Sequence, residues 1–261
     1  MKREGFLRSV RLREAEHGEV RSGHPWELPV VAGLAAGLEL DPQVTYLIGE
    51  NGSGKSTLLG AIAHAAGMSA EGGSSNFAFP DAETSPALAQ MFAFSHRAVH
   101  AQLGDAIGLV RGVRRPRTDF FLRAESLFAA ASYLEQLDGD ALSAYGGTSL
   151  HEQSHGQSFL AILLNRFGPN GLYLLDEPEA ALSTQNCLTA LRRIHELVQD
   201  GSQFIIATHS PLILAYPDAT IYNCTEDGLE QVDYDDAEPV RLTSNFLNAR
   251  ERLIEALLEH S

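Results

Sequence analysis

Nine consecutive residues, Gly49-Glu50-Asn51-Gly52-Ser53-Gly54-Lys55-Ser56-Thr57, set glycines, a lysine and hydroxyls at the spacing G-x-x-x-x-G-K-[ST]. Such a run can wrap an anion. The glycines let successive backbone N–H groups turn inward. Lys55 can reach the β- and γ-phosphates of a nucleotide, and the Ser56 hydroxyl can hold Mg²⁺. The flanks agree: an apolar run at residues 44–48 leads in, and a helix-like run at 57–66, stopped by Gly67, leads out. That helix would aim its N-terminal dipole at the same anion. The expected chemistry is nucleoside triphosphate binding.

A second group stands further along. Residues 172–175 are continuously apolar and end in Asp176-Glu177-Pro178. A strand ending in two carboxylates sets both at the carboxyl edge of a sheet, where open α/β sheets bind ligands. Asp176 is expected to hold Mg²⁺ through water. Glu177, pointing elsewhere, can act as general base for an attacking water. Thr208-His209-Ser210 ends a third apolar run at 204–207, and Ser154-His155-Gly156-Gln157 opens a helix-like one.

Strands and helices must alternate to position these groups, which predicts a parallel sheet with crossover helices. Upstream, the alternation at 6–12 suggests an edge strand, and 28–31 and 38–40 short extended pieces. From 68 to about 86, Gly, Ser, Pro, Ala and Asp predict an excursion from the core. Strands are expected at 92–94, 108–113 and, ending, at 120–122, then a helix at 126–137 and a turn at Tyr145-Gly146-Gly147. Further helices run from Ser154 to Gly168 and through Leu188, Leu191, Ile194 and Leu197 to Gly201.

The chain of 261 residues is 44% hydrophobic and 20% charged, enough for one large α/β domain or two small ones. No apolar run approaches the ~18 residues that span a bilayer. The amino terminus lacks the apolar stretch of a secretory signal, and Cys187 and Cys224 are too few for a disulfide framework or zinc site, so a cytoplasmic protein is expected. The net charge of −15 opposes nonspecific nucleic-acid binding, although Arg111, Arg114, Arg115 and Arg117 form one basic cluster and Arg3, Arg8, Arg11 and Arg13 another. Residues 226–238, conversely, are acidic without a base. Lys2 and Lys55 are the only lysines.

In order and spacing these motifs resemble the ABC-type ATPases over most of the chain. Residues 49–56 resemble Walker A and 172–177 Walker B. Ser154-His155-Gly156-Gln157 is similar to the LSGGQ signature, Ala180-Ala181-Leu182-Ser183 stands where the D-loop belongs, and His209 where the switch histidine belongs. His155 replaces the first signature glycine and Gln153 the leucine. No Q-loop glutamine stands at a strand-to-helix junction; Glu125 takes that place as the candidate for sensing Mg²⁺ and water. Trp26 is the candidate for adenine stacking. The forms at 49–57, 154–157 and Thr208-His209-Ser210-Pro211 resemble a standalone branch related to SMC-, RecF- and OLD-type proteins of DNA maintenance and phage defence. Coiled-coil arms and a nuclease domain have no counterpart in the sequence.

The resemblance implies an α/β P-loop NTPase fold, an ABC-type nucleotide-binding domain with core segments 1–67 and 171–261 and a helical lobe inserted at about 68–170. It implies ATP and Mg²⁺ as ligands, with the whole loop from Gly49 to Thr57 on the nucleotide and Lys55, Glu177 and His209 in catalysis. It further implies a homodimer in which Ser154, Gly156 and Gln157 address ATP held by the partner copy. An effector protein or nucleic acid would be moved by that cycle. An ABC transporter subunit and a non-catalytic, ATP-switched scaffold are the alternatives.

Overall fold

The structure, a computed structural model, describes residues 4–15, 21–69, 72–75, 77–78, 94–124 and 155–258. The chain opens with β1 (Leu7–Leu12), α1 (Pro29–Gly33), β2 (Leu38–Glu39), β3 (Val44–Ile48) and α2 (Lys55–Ala66). Two short strands, β4 (Gly73–Ser74) and β5 (Phe77–Ala78), precede α3 (Phe94–Ala106), β6 (Ile107–Arg111) and β7 (Thr118–Arg123). Then come α4 (His155–Asn165), β8 (Gly171–Asp176), α5 (Thr184–Gln199), β9 (Gln203–Ala207) and α6 (Pro211–Leu214). The hairpin β10 (Thr220–Thr225) and β11 (Gly228–Val232) leads to α7 (Glu238–Asn248) and α8 (Arg250–Leu258).

The main sheet has the order β11-β10-β3-β9-β8-β7-β4-β5. Its five central strands, β10 to β7, are mutually parallel. β3, β8 and β9 are buried along their whole length, so both faces must be covered. Tyr46, Ile48, Tyr173, Leu175, Phe204 and Ile206 point to the face covered by α4 and α5. Leu47, Leu172, Leu174, Ile205 and Ala207 point to the other, covered by α2 and by a three-stranded antiparallel sheet, β2-β1-β6. The period-two alternation of strands thus sorts two cores. Gln203 joins the sheets: its amide accepts from Leu7 N at 2.9 Å and donates to Leu7 O and Asp41 O, each at 2.8 Å.

Several expectations change. β1 is the middle strand of its sheet, not an edge, because β2 and β6 pair with it on both sides. Residues 29–33 are helical, since Pro29 at the start of α1 already has the φ a helix requires. Phe94 starts a helix; 92–93, the helix expected at 126–137 and the turn at 145–147 lie outside the described residues. The lobe expected at about 68–170 is interrupted. Within it, α3 packs on α2, β6 pairs with β1, and β7 pairs with β8 in the main sheet, so 94–123 belong to the core.

Candidate functional site

Three neighbouring parallel strands, β3, β9 and β8, end at the same sheet edge, and the candidate residues follow them. The ladder runs one residue past the strands: Glu177 N donates to Ala207 O (2.9 Å) and Thr208 N to Leu47 O (3.2 Å).

After β3 the backbone turns through Gly49, Gly52 and Gly54 at φ 138°, 85° and 96°. A Cβ on Gly49 would come within 2.5 Å of Cys224 O, and one on Gly54 within 2.6 Å of Val30 Cγ1, so at both positions side chains are excluded twice over. Lys55 is nearly buried and donates from Nζ to Gly49 O (2.7 Å) and Glu50 O (2.8 Å). Burial pulls its pKa down; Cys224, Glu177, Asp176 and Glu179 act against that. Ser53 Oγ is buried with no hydrogen-bond partner. A cation held on its own loop's carbonyls, beside an unsatisfied hydroxyl, suits an incoming anion that would take both.

Ser56 Oγ donates to Asp176 Oδ1 at 2.9 Å, bringing the hydroxyl of α2 to the carboxylate ending β8. The other oxygen, Oδ2, accepts from Arg123 Nε at 3.2 Å in a buried ion pair. Register explains this pair, because Arg123 and Asp176 are cross-strand partners. Burial raises the Asp176 pKa, while Arg123 and the Ser56 bond oppose the rise. A hydroxyl and a carboxylate in contact are the hard oxygen donors that Mg²⁺ takes. No cluster of three or more His, Cys, Asp or Glu side chains fit for a metal occurs among the described residues. Ser56 and Asp176 are thus two oxygen donors of the kind that fits Mg²⁺.

Glu177 adopts a left-handed conformation (φ 49°, ψ 54°) ahead of Pro178. A non-glycine residue there costs about 1–2 kcal/mol. The Glu177 carboxylate is 39% exposed and lies 3.8 Å from His209 Nε2, a buried atom with no hydrogen-bond partner. Proton movement at this edge thus has a carboxylate and an imidazole to use.

Trp26 is half-buried in the segment before α1, with the Arg21 guanidinium 5.1 Å from its ring centre. Two residues on, Leu28 borders Gly54, so Trp26 stands in the segment lying against the loop. Gly156 and Gln157 are in the first turn of α4, where Gln157 is exposed. Ser154 and Glu125 lie outside the described residues; Ala124, the last described before Glu125, donates its N–H to Asp176 O at 3.2 Å.

Two functional candidates escaped the sequence reading. Arg123 was hidden because only pairing between β7 and β8 brings it to Asp176. Glu179 accepts from Thr208 Oγ1 (2.7 Å) and from His209 N (2.5 Å), joining the turn after β8 to the end of β9. A third acid following Asp176-Glu177-Pro178 was its one visible signal.

Residues 114–215 match the family described as "AAA domain, putative AbiEii toxin, Type IV TA system", a span from just before β7 to just past α6 and less than half the chain. No curated protein matches. Solved structures with similarity include the SMC head domain from Thermotoga maritima, at 15% identity and TM-score 0.42, covering 87% of this chain and 98% of that one. Another is cbiO1 from Clostridium perfringens, part of the ABC transporter complex cbiONQ, at 15% identity and TM-score 0.46, covering 98% of this chain and all of that one. A third is the ATP-binding cassette MJ0796 in a dimeric post-hydrolysis state bound to ADP and Pi, at 14% identity and TM-score 0.45, covering 90% and 99%.

Proposed function

We propose that this chain is a P-loop ATPase of the ABC/AAA type that binds and hydrolyses ATP with Mg²⁺, two copies closing head to tail around the nucleotide; the family match over residues 114–215 supports that reading. The observation that carries this reading is the contact of Ser56 with Asp176, beside Lys55 on one side and the Glu177–His209 pair on the other.

In this reading Lys55 leaves the carbonyls of Gly49 and Glu50 for the β- and γ-phosphates, where charge-assisted bonds are stronger than those it gives up. Backbone N–H groups from Gly49 to Thr57 cradle the phosphates. Ser56 and Asp176 hold Mg²⁺, which would neutralise developing charge on the phosphoryl oxygens. Glu177 accepts a proton from the attacking water, and His209 stands beside it to orient the reacting group. Glu125 senses metal and water, and Trp26 flanks the base.

Dimerisation is supported by the packing. α2 covers one face of the main sheet and α4 the other. Gly156 and Gln157, with Ser154 before them, would serve the nucleotide of a second copy. No helix among the described residues is long and apolar enough to cross a membrane. We read the protein as a standalone cytoplasmic ATPase of the DNA-maintenance or defence type. Four arginines support that choice over a transporter subunit: Arg111 ends β6, Arg114, Arg115 and Arg117 follow on the β6–β7 connection, and none pairs with a carboxylate among the described residues. Arg115 is close enough to help lower the Arg111 pKa, after burial.

The test is Glu177→Gln. Removing a general base lowers turnover roughly 10²–10⁴-fold, while ATP binding persists and the protein shifts to a dimer with ATP and Mg²⁺. Turnover within about threefold of the unsubstituted protein would falsify the general-base assignment. An ATP-dependent dimer from an unsubstituted chain with negligible turnover would favour a scaffold. Co-purification with membranes would favour a transporter subunit.

A further inference from the structure

We propose that Glu179 is a positioning residue, whose carboxylate latches the turn after β8 to the end of β9 and thereby sets where His209 faces Glu177. The role given to His209 rests on the ATPase reading; the latch itself does not.

Glu179 sits in the short 3-10 turn Pro178–Ala180, which is closed by Ala180 N donating to Glu177 O at 3.0 Å. Its two oxygens take separate donors from consecutive residues: Thr208 Oγ1 on Oε2 at 2.7 Å and His209 N on Oε1 at 2.5 Å. Thr208 is fully buried, and its hydroxyl also accepts from Ser210 N at 3.0 Å. One carboxylate therefore organises three successive residues after β9. Ser210 extends the arrangement by accepting from Ile213 N at the start of α6.

The consequence is geometric. His209 has its main chain fixed from the same turn that carries Glu177, two residues before Glu179. Its Nε2 has no hydrogen-bond partner and lies 3.8 Å from Glu177 Oε1. The imidazole is held near Glu177 by its backbone rather than by a bond to its ring. The position of that ring nitrogen beside Glu177 therefore depends on Glu179. Bonds to an ionised acceptor are stronger than neutral ones, so a carboxylate suits this latch. A glutamine could still accept from His209 N if the Thr208 hydroxyl turned, but without the charge.

Two readouts test this. The first is amide hydrogen exchange at His209 in the nucleotide-free protein. Glu179→Ala should speed it roughly 10- to 100-fold, with Glu179→Gln between that variant and the unsubstituted chain. The second is a double-mutant cycle on ATP turnover. Glu179→Ala should lower kcat by at least about 10-fold with KM little changed, and adding it to His209→Ala should cost almost nothing more. Should Glu179→Ala fail to fold, Thr208→Val and Glu179→Gln carry both measurements. Unchanged exchange at His209 would show that no latch exists. Independent, multiplying effects in the cycle would show that Glu179 does not act through His209. A chain without any ATP turnover would sink the ATPase reading, and the exchange measurement would still decide the latch.

Discussion

The ends of β3 and β8 lie at one edge of one sheet yet are built from different materials. After β3 the chain uses backbone: three glycines at positive φ, main-chain N–H groups, and a lysine folded onto carbonyls five and six residues away in sequence. After β8 it uses side chains. Asp176, Glu177 and Glu179 are each set against groups from other elements: Ser56 on α2, Arg123 on β7, and Thr208 and His209 beyond β9. The first end is local and suits an anion. The second is assembled across four elements and suits a cation and a proton. Put side by side, they are what we propose as the two halves of a phosphoryl-transfer site.

The comparison can be broken first at Arg123. If the β8 end depends on distant partners, Arg123→Met should leave the Asp176 carboxylate buried without its counter-charge. Losing one partner of a buried ion pair costs about 3–5 kcal/mol, which denaturant unfolding would measure. The sign with pH follows from Asp176. Its folded pKa is raised by burial, and Arg123 restrains that rise. An acid with a raised folded pKa binds more protons folded than unfolded, so stability falls as pH climbs from its ordinary value of 3.8 through the folded value. Removing Arg123 should widen that window. The deficit of Arg123→Met should therefore be smallest at acid pH and grow towards neutrality. A deficit independent of pH would mean Arg123 acts by packing alone.

The β3 end should answer to backbone changes instead. Gly54→Ala meets Val30 Cγ1 at 2.6 Å in a core position, adding about 1–3 kcal/mol of overpacking to the strain of φ 96°. Gly52→Ala points into open space and carries strain alone, about 1–2 kcal/mol. Thermal unfolding of the two variants should keep that order; equal shifts would mean that space beside the loop is not what excludes a side chain.

The same contrast explains what could be read from the chain. The loop at 49–57, the apolar strands leading to Asp176 and His209, and α2 and α5 were all legible because spacing and periodicity are local. Arg123 and Glu179 were not, since their partners lie 53 and 29–30 positions away and meet only through strand order. The middle placement of β1 and the return of 94–123 to the core were hidden for the same reason: pairing partners leave no trace in a strand's own pattern. α1 misled differently, because a short apolar run gives no period and Pro29 decides its form.

The central claim, that the loop after β3 holds nucleotide phosphates, has a direct test. Lys55 is the only lysine besides Lys2, so an amine-reactive ATP analogue meets one internal target. Mass spectrometry should find the label on Lys55, and excess ATP should prevent it. Labelling confined to Lys2 or the amino terminus, unaffected by ATP, would contradict the account.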